Sequence, residues 1–154
     1  MINEDLVNKL IEKKLKISTA ESCTGGMLAE RITQVPGASE IFEESIVTYS
    51  NEAKMRELGV KSETLDKFGA VSSYTAYQMC TGICRHTGAD IGIGVTGIAG
   101  PGGGTAEKPV GTVFIGICFS GRVQVIENHF DGSRDEVREK TCNKAFSAAL
   151  EMIG

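Results

Sequence analysis

No apolar run in these 154 residues is long enough to cross a bilayer, and no membrane partner is expected. The amino terminus, M-I-N-E-D-L-V-N-K-L, lacks the basic start, apolar centre and small-residue end of a signal peptide, which indicates a cytoplasmic protein. Cationic side chains are outnumbered, 16 Lys and Arg against 20 Asp and Glu, for a formal charge of −4. A nucleic-acid partner is therefore disfavoured, because that affinity comes from cations neutralising phosphates, whereas a small anion held by a few aimed groups is compatible. Paired C-x-x-C blocks are absent. The five cysteines, Cys23, Cys80, Cys84, Cys118 and Cys142, are an odd number in a cytosolic chain and read as free thiols. Cys80 and Cys84 lie four apart on a predicted helix, but no second pair or well-spaced histidine accompanies them, and no metal site is expected. Repeats and linkers are also missing, so a single domain over residues 1–154 is expected. A chain of that length buries about 70% of the surface it exposes when unfolded.

The elements that are present alternate in kind. Leu6, Val7, Leu10, Ile11 and Leu15 lie close to one helical stripe over residues 4–16, and Ile17 to Ala20 follows as a short strand. E-S-C-T-G-G interrupts the pattern, after which Met27, Leu28, Ile32 and Val35 resume a helical one that ends before Pro36-Gly37. Phe42 to Tyr49, rich in β-branched and aromatic residues, reads as a strand. The S-N-E-A-K-M-R-E-L after it reads as a helix capped by Ser50 or Asn51 and ended by Gly59. S-E-T-L at 62–65 suggests the capped start of a helical turn reaching Lys67, and a longer helix begins near Ser72 or Ser73. Asp90 to Thr96 alternates small and apolar residues as a buried strand does. Gly111 to Ser120 and Val123 to His129 are strands joined by Gly121-Arg122, a two-residue link suited to a hairpin turn of type I′ or II′. Ser133 to Ile153 closes the chain as a helix. Helices between the first three strands and a hairpin afterwards predict an α/β fold, a three-layer α/β/α sandwich with a mixed, mostly parallel sheet of about five strands and a C-terminal β-hairpin.

In such a sheet, ligands bind in the crevice beyond the carboxyl ends of the strands. Three segments sit there. In E-S-C-T-G-G, Gly25 and Gly26 allow a tight turn and the following helix offers unpaired N–H groups that would welcome an anion. On this stretch alone Ser22 and Thr24 read first as helix caps, with Ser22 a possible nucleophile. Alternation along an extended segment turns Ser22 and Cys23 to opposite sides, so one of them packs into the core. V-T-Y-S-N-E-A-K places Lys54 near a helix amino terminus, where the dipole disfavours a cation, so Lys54 either is a solvated surface residue near Glu52 and Glu57, or has an anionic partner, or loses its proton easily. The third segment, V-T-G-I-A-G-P-G-G-G, reads either as a flexible surface loop or as one that clears side chains away from a bound group and presents backbone N–H groups to it. It matches no dinucleotide fingerprint, and E-S-C-T-G-G matches neither a P-loop nor a nucleophile elbow. Lys108 lies within reach of the same crevice, and Arg134 and Arg138 flank the start of the last helix, free to grip a phosphate or to pair with Asp131, Asp135 or Glu139.

Six ordered blocks carry a family resemblance: T-A-E-S-C-T-G-G at 19–26, V-T-Y-S-N-E-A-K at 47–54, G-A-V-S at 69–72, V-T-G-I-A-G-P-G-G-G at 95–104, E-K-P-V-G-T-V at 107–113 and G-S-R-D-E-V-R at 132–138. With them the chain resembles, nearly end to end, the CinA carboxy-terminal domain family, and within it the stand-alone PncC-type nicotinamide mononucleotide amidohydrolases. The resemblance implies conversion of nicotinamide mononucleotide to nicotinic acid mononucleotide and ammonia in pyridine nucleotide recycling, with no metal or other cofactor, by a homodimer or higher homo-oligomer. Family members also occur fused behind a larger amino-terminal domain, which this chain is expected to lack because it starts with the family's first helix. By the same resemblance Ser22 corresponds to the nucleophile and Lys54 to its base, Tyr49 and Thr96 are further active-site hydroxyls, and Arg134 lies near the phosphate. Thr24, Gly25, Gly26, Gly97, Ala99, Gly100, Lys108 and Arg138 complete the expected substrate surround. The block at 131–138 reads D-G-S-R-D-E-V-R where the family pattern is G-D-R, so Ser133 stands in place of an acidic residue. A serine attacking an amide needs a base, donors for the oxyanion and a proton for ammonia, and a lysine serves only when neutral. The rival expectations are a non-catalytic nucleotide-sensing module using the same crevice, and Cys23 as the nucleophile.

Overall fold

Leu6, Val7 and Leu10 form the buried stripe of α1 (Ile2–Lys13) in the computed structural model, which describes residues 1–154. A left-handed Lys14 ends α1, and β1 (Ile17–Glu21) follows, buried at all five positions as the central strand of a layered fold must be. α2 (Met27–Thr33) buries Leu28 and Ile32, a 3₁₀ turn (Ala38–Glu40) leads into β2 (Phe42–Val47), and then α3 (Asn51–Leu58), α4 (Ser62–Phe68) and α5 (Ser73–Thr87) run in succession. β3 (Ile91–Gly97), the hairpin of β4 (Thr112–Phe119) and β5 (Arg122–His129), and α6 (Arg134–Ile153) complete the chain.

The sheet order is β2-β1-β3-β4-β5, with β1 parallel to both neighbours and the β3–β4 and β4–β5 pairs antiparallel. Four strands therefore point one way and β4 alone is reversed, the mixed sheet expected. One face carries α1, α2 and α6 and the other α3, α4 and α5. The carboxyl ends of β2, β1 and β3 consequently emerge side by side.

The two faces are packed differently. A cluster of 24 buried apolar residues fills the α1–α2–α6 side, while the other side has a cluster of six. Glycines explain the contrast. A Cβ on Gly94 would lie 2.6 Å from the Cys80 nitrogen and 3.0 Å from the Ala76 oxygen, and one on Gly116 would lie 2.7 Å from that same oxygen, so α5 rests on bare backbone. Gly94→Ala is expected to destabilise by about 1–3 kcal/mol, the usual cost of overpacking, because the obstructing atoms are main chain. Gly102→Ala, where an added Cβ meets nothing within 4 Å, is the control, and thermal denaturation should leave its midpoint unchanged.

Two local expectations shift. The hairpin link is Ser120-Gly121, not Gly121-Arg122, since Phe119 pairs with Arg122. Ser120 and Gly121 have φ of 52° and 75°, the positive pair that a type I′ turn requires and that matches the twist of the strands. Ser62 does not cap α4. Lys61 occupies the cap without a side-chain bond, and Gln78 of α5 staples the turn instead, accepting from the Lys61 N–H at 2.9 Å and donating to Thr64 Oγ1 at 2.8 Å. Ser50 and Ser72 do cap α3 and α5, accepting from the N–H groups of Ala53 and Thr75. Ser133 caps α6 in a full capping box with Glu136, which gives the departure at that position a structural role.

Candidate active site

The parallel ladder runs one residue past β1 and β2. Ser22 N–H donates to Val95 O at 3.1 Å and Thr48 N–H to Glu21 O at 2.8 Å, so both segments leave the sheet in register. Lys54 enters from the first half of α3, whose amino terminus is set by the Ser50 cap. Its side chain is only 2% exposed. The Nζ atom donates to Thr48 O at 2.7 Å and lies 3.1 Å from Ser22 Oγ. Lys54 takes part in none of the ion pairs. Burial without a counter-charge lowers its pKa from the usual 10.5, opposed only by the neighbouring Cys23. A neutral amine has one lone pair, so with one N–H directed to Thr48 O the lone pair can accept from the Ser22 hydroxyl. A hydroxyl, an amine and a carbonyl that orients the amine are thus brought together from the connection after β1, the connection after β2 and helix α3.

Cys23 faces the other way. It is 6% exposed within the large core, and burial pushes its thiol up to about 11, which removes the thiolate that a cysteine nucleophile needs.

Glu21 was not anticipated. Its carboxylate is wholly buried and accepts from Thr24 Oγ1 at 2.7 Å and from the N–H groups of Gly26, Leu28 and Ala29 at 3.1, 2.9 and 3.1 Å. The Ser45 hydroxyl adds a bond of 3.0 Å and itself accepts from Thr19 Oγ1 at 2.6 Å. This overturns two expectations. Ser22 and Thr24 do not cap α2, and the α2 amino terminus is not open to an external anion, because an internal one already satisfies it. Thr24 is buried and spent on Glu21, while Gly25 and Gly26, with φ of 56° and 106°, form the turn. The N–H groups of Cys23 and Thr24 bond to no other residue and are the free donors beside Ser22.

The glycine segment follows β3 on the other side of Ser22. Thr96 is 1% exposed and donates to Ala70 O at 2.8 Å, tying the strand end to the α4–α5 connection. Gly97 serves packing, since a Cβ there would sit 2.7 Å from Val113 Cγ2 and 2.9 Å from Thr112 O. Ala99 and Gly100 are buried, and their N–H groups have no partner within the chain. Lys108 bonds Phe68 O at 2.7 Å and holds the far end of the loop to α4.

The two arginines separate. Arg138 is committed to the turn after Ser22, donating to Cys23 O at 3.1 Å and Thr24 O at 2.8 Å, with Asp135 at 3.8 Å. Arg134 donates to Gly100 O at 2.7 Å and to the Tyr49 hydroxyl at 3.1 Å. Because β1 lies between β2 and β3, this bridge spans the end of the strand that carries Ser22. Tyr49, 64% exposed, is bonded to Arg134 and not to Lys54 or Ser22. Of the groups that sequence reasoning missed, Glu21 had a signal, an acid just ahead of a helix start, whereas the Thr48 carbonyl had none.

The family model described as CinA C-terminal domain matches residues 1–153. The chain is 57% identical over 134 residues to a competence-damage inducible protein of Clostridium acetobutylicum, and 50% identical over 152 residues to a CinA-like protein of Kosmotoga olearia. These matches take 87% and 99% of this chain but 33% and 36% of the relatives, so the chain spans about a third of their length. Among solved structures, the competence/damage inducible protein CihA of Agrobacterium tumefaciens superposes with a TM-score of 0.94 at 41% identity, covering 100% of this chain and 97% of that one. A CinA superfamily protein of Escherichia coli does so with a TM-score of 0.94 at 32% identity, covering 98% and 88%. With a match over nearly every residue and a shared sheet, the chain belongs to the CinA C-terminal domain family.

Proposed function

We propose that the domain is an amidohydrolase that converts nicotinamide mononucleotide to nicotinic acid mononucleotide and ammonia. The observation that carries the reading is the buried, unpaired Lys54 amine in hydrogen-bond contact with Ser22. A nucleotide-sensing module has no use for a buried amine set against a hydroxyl, whereas a serine hydrolase requires a base in that position and the lowered pKa of Lys54 suits it to the task. In the proposed cycle Lys54 takes the Ser22 proton as Oγ attacks the carboxamide carbon. The free N–H groups of Cys23 and Thr24 receive the oxyanion. Lys54 then delivers the proton to nitrogen, ammonia leaves, and water attacks the acyl-serine by the same base, regenerating Ser22. Arg134 uses two of its five N–H donors on Tyr49 and Gly100, and the remaining ones, with the Ala99 and Gly100 N–H groups, suit the sugar phosphate. The exposed Val47, Tyr49 and Met55 beside the crevice fit a homo-oligomer that covers it.

Ammonia release from nicotinamide mononucleotide, the riboside and free nicotinamide, measured in parallel, tests the reading. Turnover of the mononucleotide alone supports it, and no release from any of the three defeats it. Arg134→Ala is expected to raise KM for the mononucleotide by about tenfold or more, as loss of a charged phosphate contact does, with a smaller change in kcat. Equal KM in variant and wild type would remove Arg134 from the phosphate site.

A further inference from the structure

We propose that Glu21 is the positioning residue of the nucleophile turn, an internal anion that fixes Ser22 against Lys54; this rests on the serine–lysine reading above. The carboxylate has no cationic partner, yet it is fully buried and bonded by five donors. Those donors fall in two groups. Thr24, Gly26, Leu28 and Ala29 come from the turn and helix immediately after Ser22, and Ser45, itself held by Thr19, from the sheet. One side chain thus draws both ends of a short loop to a point, and the residue enclosed by that loop is the nucleophile.

The main chain of Glu21 does the complementary task. Its carbonyl accepts from Thr48 N–H at 2.8 Å, and the Thr48 carbonyl in turn holds Lys54 Nζ at 2.7 Å. Base and nucleophile are therefore both referred to residue 21. A cap for α2 alone would need no charge, since a serine or threonine hydroxyl supplies it, and the cap position here is Gly26. The carboxylate also consumes the Gly26, Leu28 and Ala29 N–H groups and leaves those of Cys23 and Thr24 free. It thereby decides which donors remain beside the reacting oxygen. A displacement of about 1 Å at such a site lowers rate on the order of a hundredfold, so the effect is large without any contact to substrate.

The test uses a fluorophosphonate, whose phosphorus bonds to Ser22 Oγ as fluoride leaves and the serine proton passes to Lys54. The rate of labelling is followed by intact mass, and the labelled residue is located by peptide mapping. Wild type is expected to label at Ser22. Glu21→Gln, nearly isosteric but uncharged, is expected to lower the saturating labelling rate by about thirtyfold or more, with the half-saturating concentration unchanged. Two further variants keep the carboxylate and delete one hydroxyl each: Thr24→Val, whose hydroxyl holds the turn to Glu21, and Ser18→Ala, whose hydroxyl donates to Thr87 Oγ1 at 2.9 Å at the opposite end of β1. Both should lower the melting temperature by a similar few degrees, of the order expected for one lost hydrogen bond. Only Thr24→Val should slow labelling, by about fivefold or more, with Ser18→Ala within about twofold of wild type. A purely structural carboxylate would make the two variants alike. Equal slowing by both, wild-type labelling of Glu21→Gln, or no label on Ser22 in wild type would each overturn the proposal. Labelling of Ser22 without ammonia release from nicotinamide mononucleotide would refute the substrate assignment and leave this inference standing.

Discussion

Ser22→Ala and Lys54→Met are each expected to lower ammonia release from nicotinamide mononucleotide by about 10⁴-fold or more, with both proteins still folded. The magnitude follows from interdependence: a hydroxyl without its base and a base without its hydroxyl are both nearly useless, so removing either costs almost as much as removing both. The double variant should accordingly be no slower than the worse single one. Stability should follow a different rule. Ser22 is only partly buried, and loss of its hydroxyl leaves the Lys54 amine bonded to Thr48 O. Lys54→Met strands that carbonyl, at about 1–3 kcal/mol, but removes a buried amine that has no counter-charge. These effects oppose each other, and the melting temperature of Lys54→Met should stay within a few degrees of wild type. Either single variant retaining even a tenth of wild-type turnover would end the serine–lysine mechanism.

The pH dependence is the second large effect, and its sign is set by the lowered pKa of Lys54. Only the neutral amine accepts the Ser22 proton, so kcat/KM should fall tenfold for each unit of pH below that pKa and level off above it. Because burial moves the pKa down from 10.5, the plateau begins at lower pH than an ordinary lysine would allow. Stability carries the same signature through linkage. Between the lowered folded value and the ordinary one, the unfolded chain binds the extra proton, so stability rises with pH across that window and is indifferent to this group below it. Lys54→Met should abolish that rise. The measurements are a pH–rate profile from about pH 6 to about pH 10 and melting temperatures of both proteins across the same range. A profile that declined with rising pH, or parallel stability curves for wild type and Lys54→Met, would remove the neutral amine from the mechanism.

Much of the fold was legible in sequence because it depends on local pattern. The Leu6–Leu10 stripe, the glycine-bounded helices and the alternation of strand with helix each reflect forces acting within a few residues, and together they leave few layer arrangements for a chain of this length. The errors arose where pairing or a hydrogen bond outside the local pattern intervened. Gln78 took over the start of α4 from Ser62, and the pairing of Phe119 with Arg122 moved the hairpin link by one residue.

Sequence by itself determined the segments of the candidate site and the chemical types within them: a serine, a lysine and a glycine run, each placed after a strand. It could not determine their partners, because some lie tens of residues away and all depend on how the chain turns as it leaves the sheet. Folding decided that Lys54 is sealed from water beside Ser22, that Arg138 clamps a turn while Arg134 spans the crevice, and that Glu21 occupies the end of α2. The physical reason is that propensity acts along the chain, whereas desolvation and hydrogen-bond completion act through space and take their values only once the layers have closed.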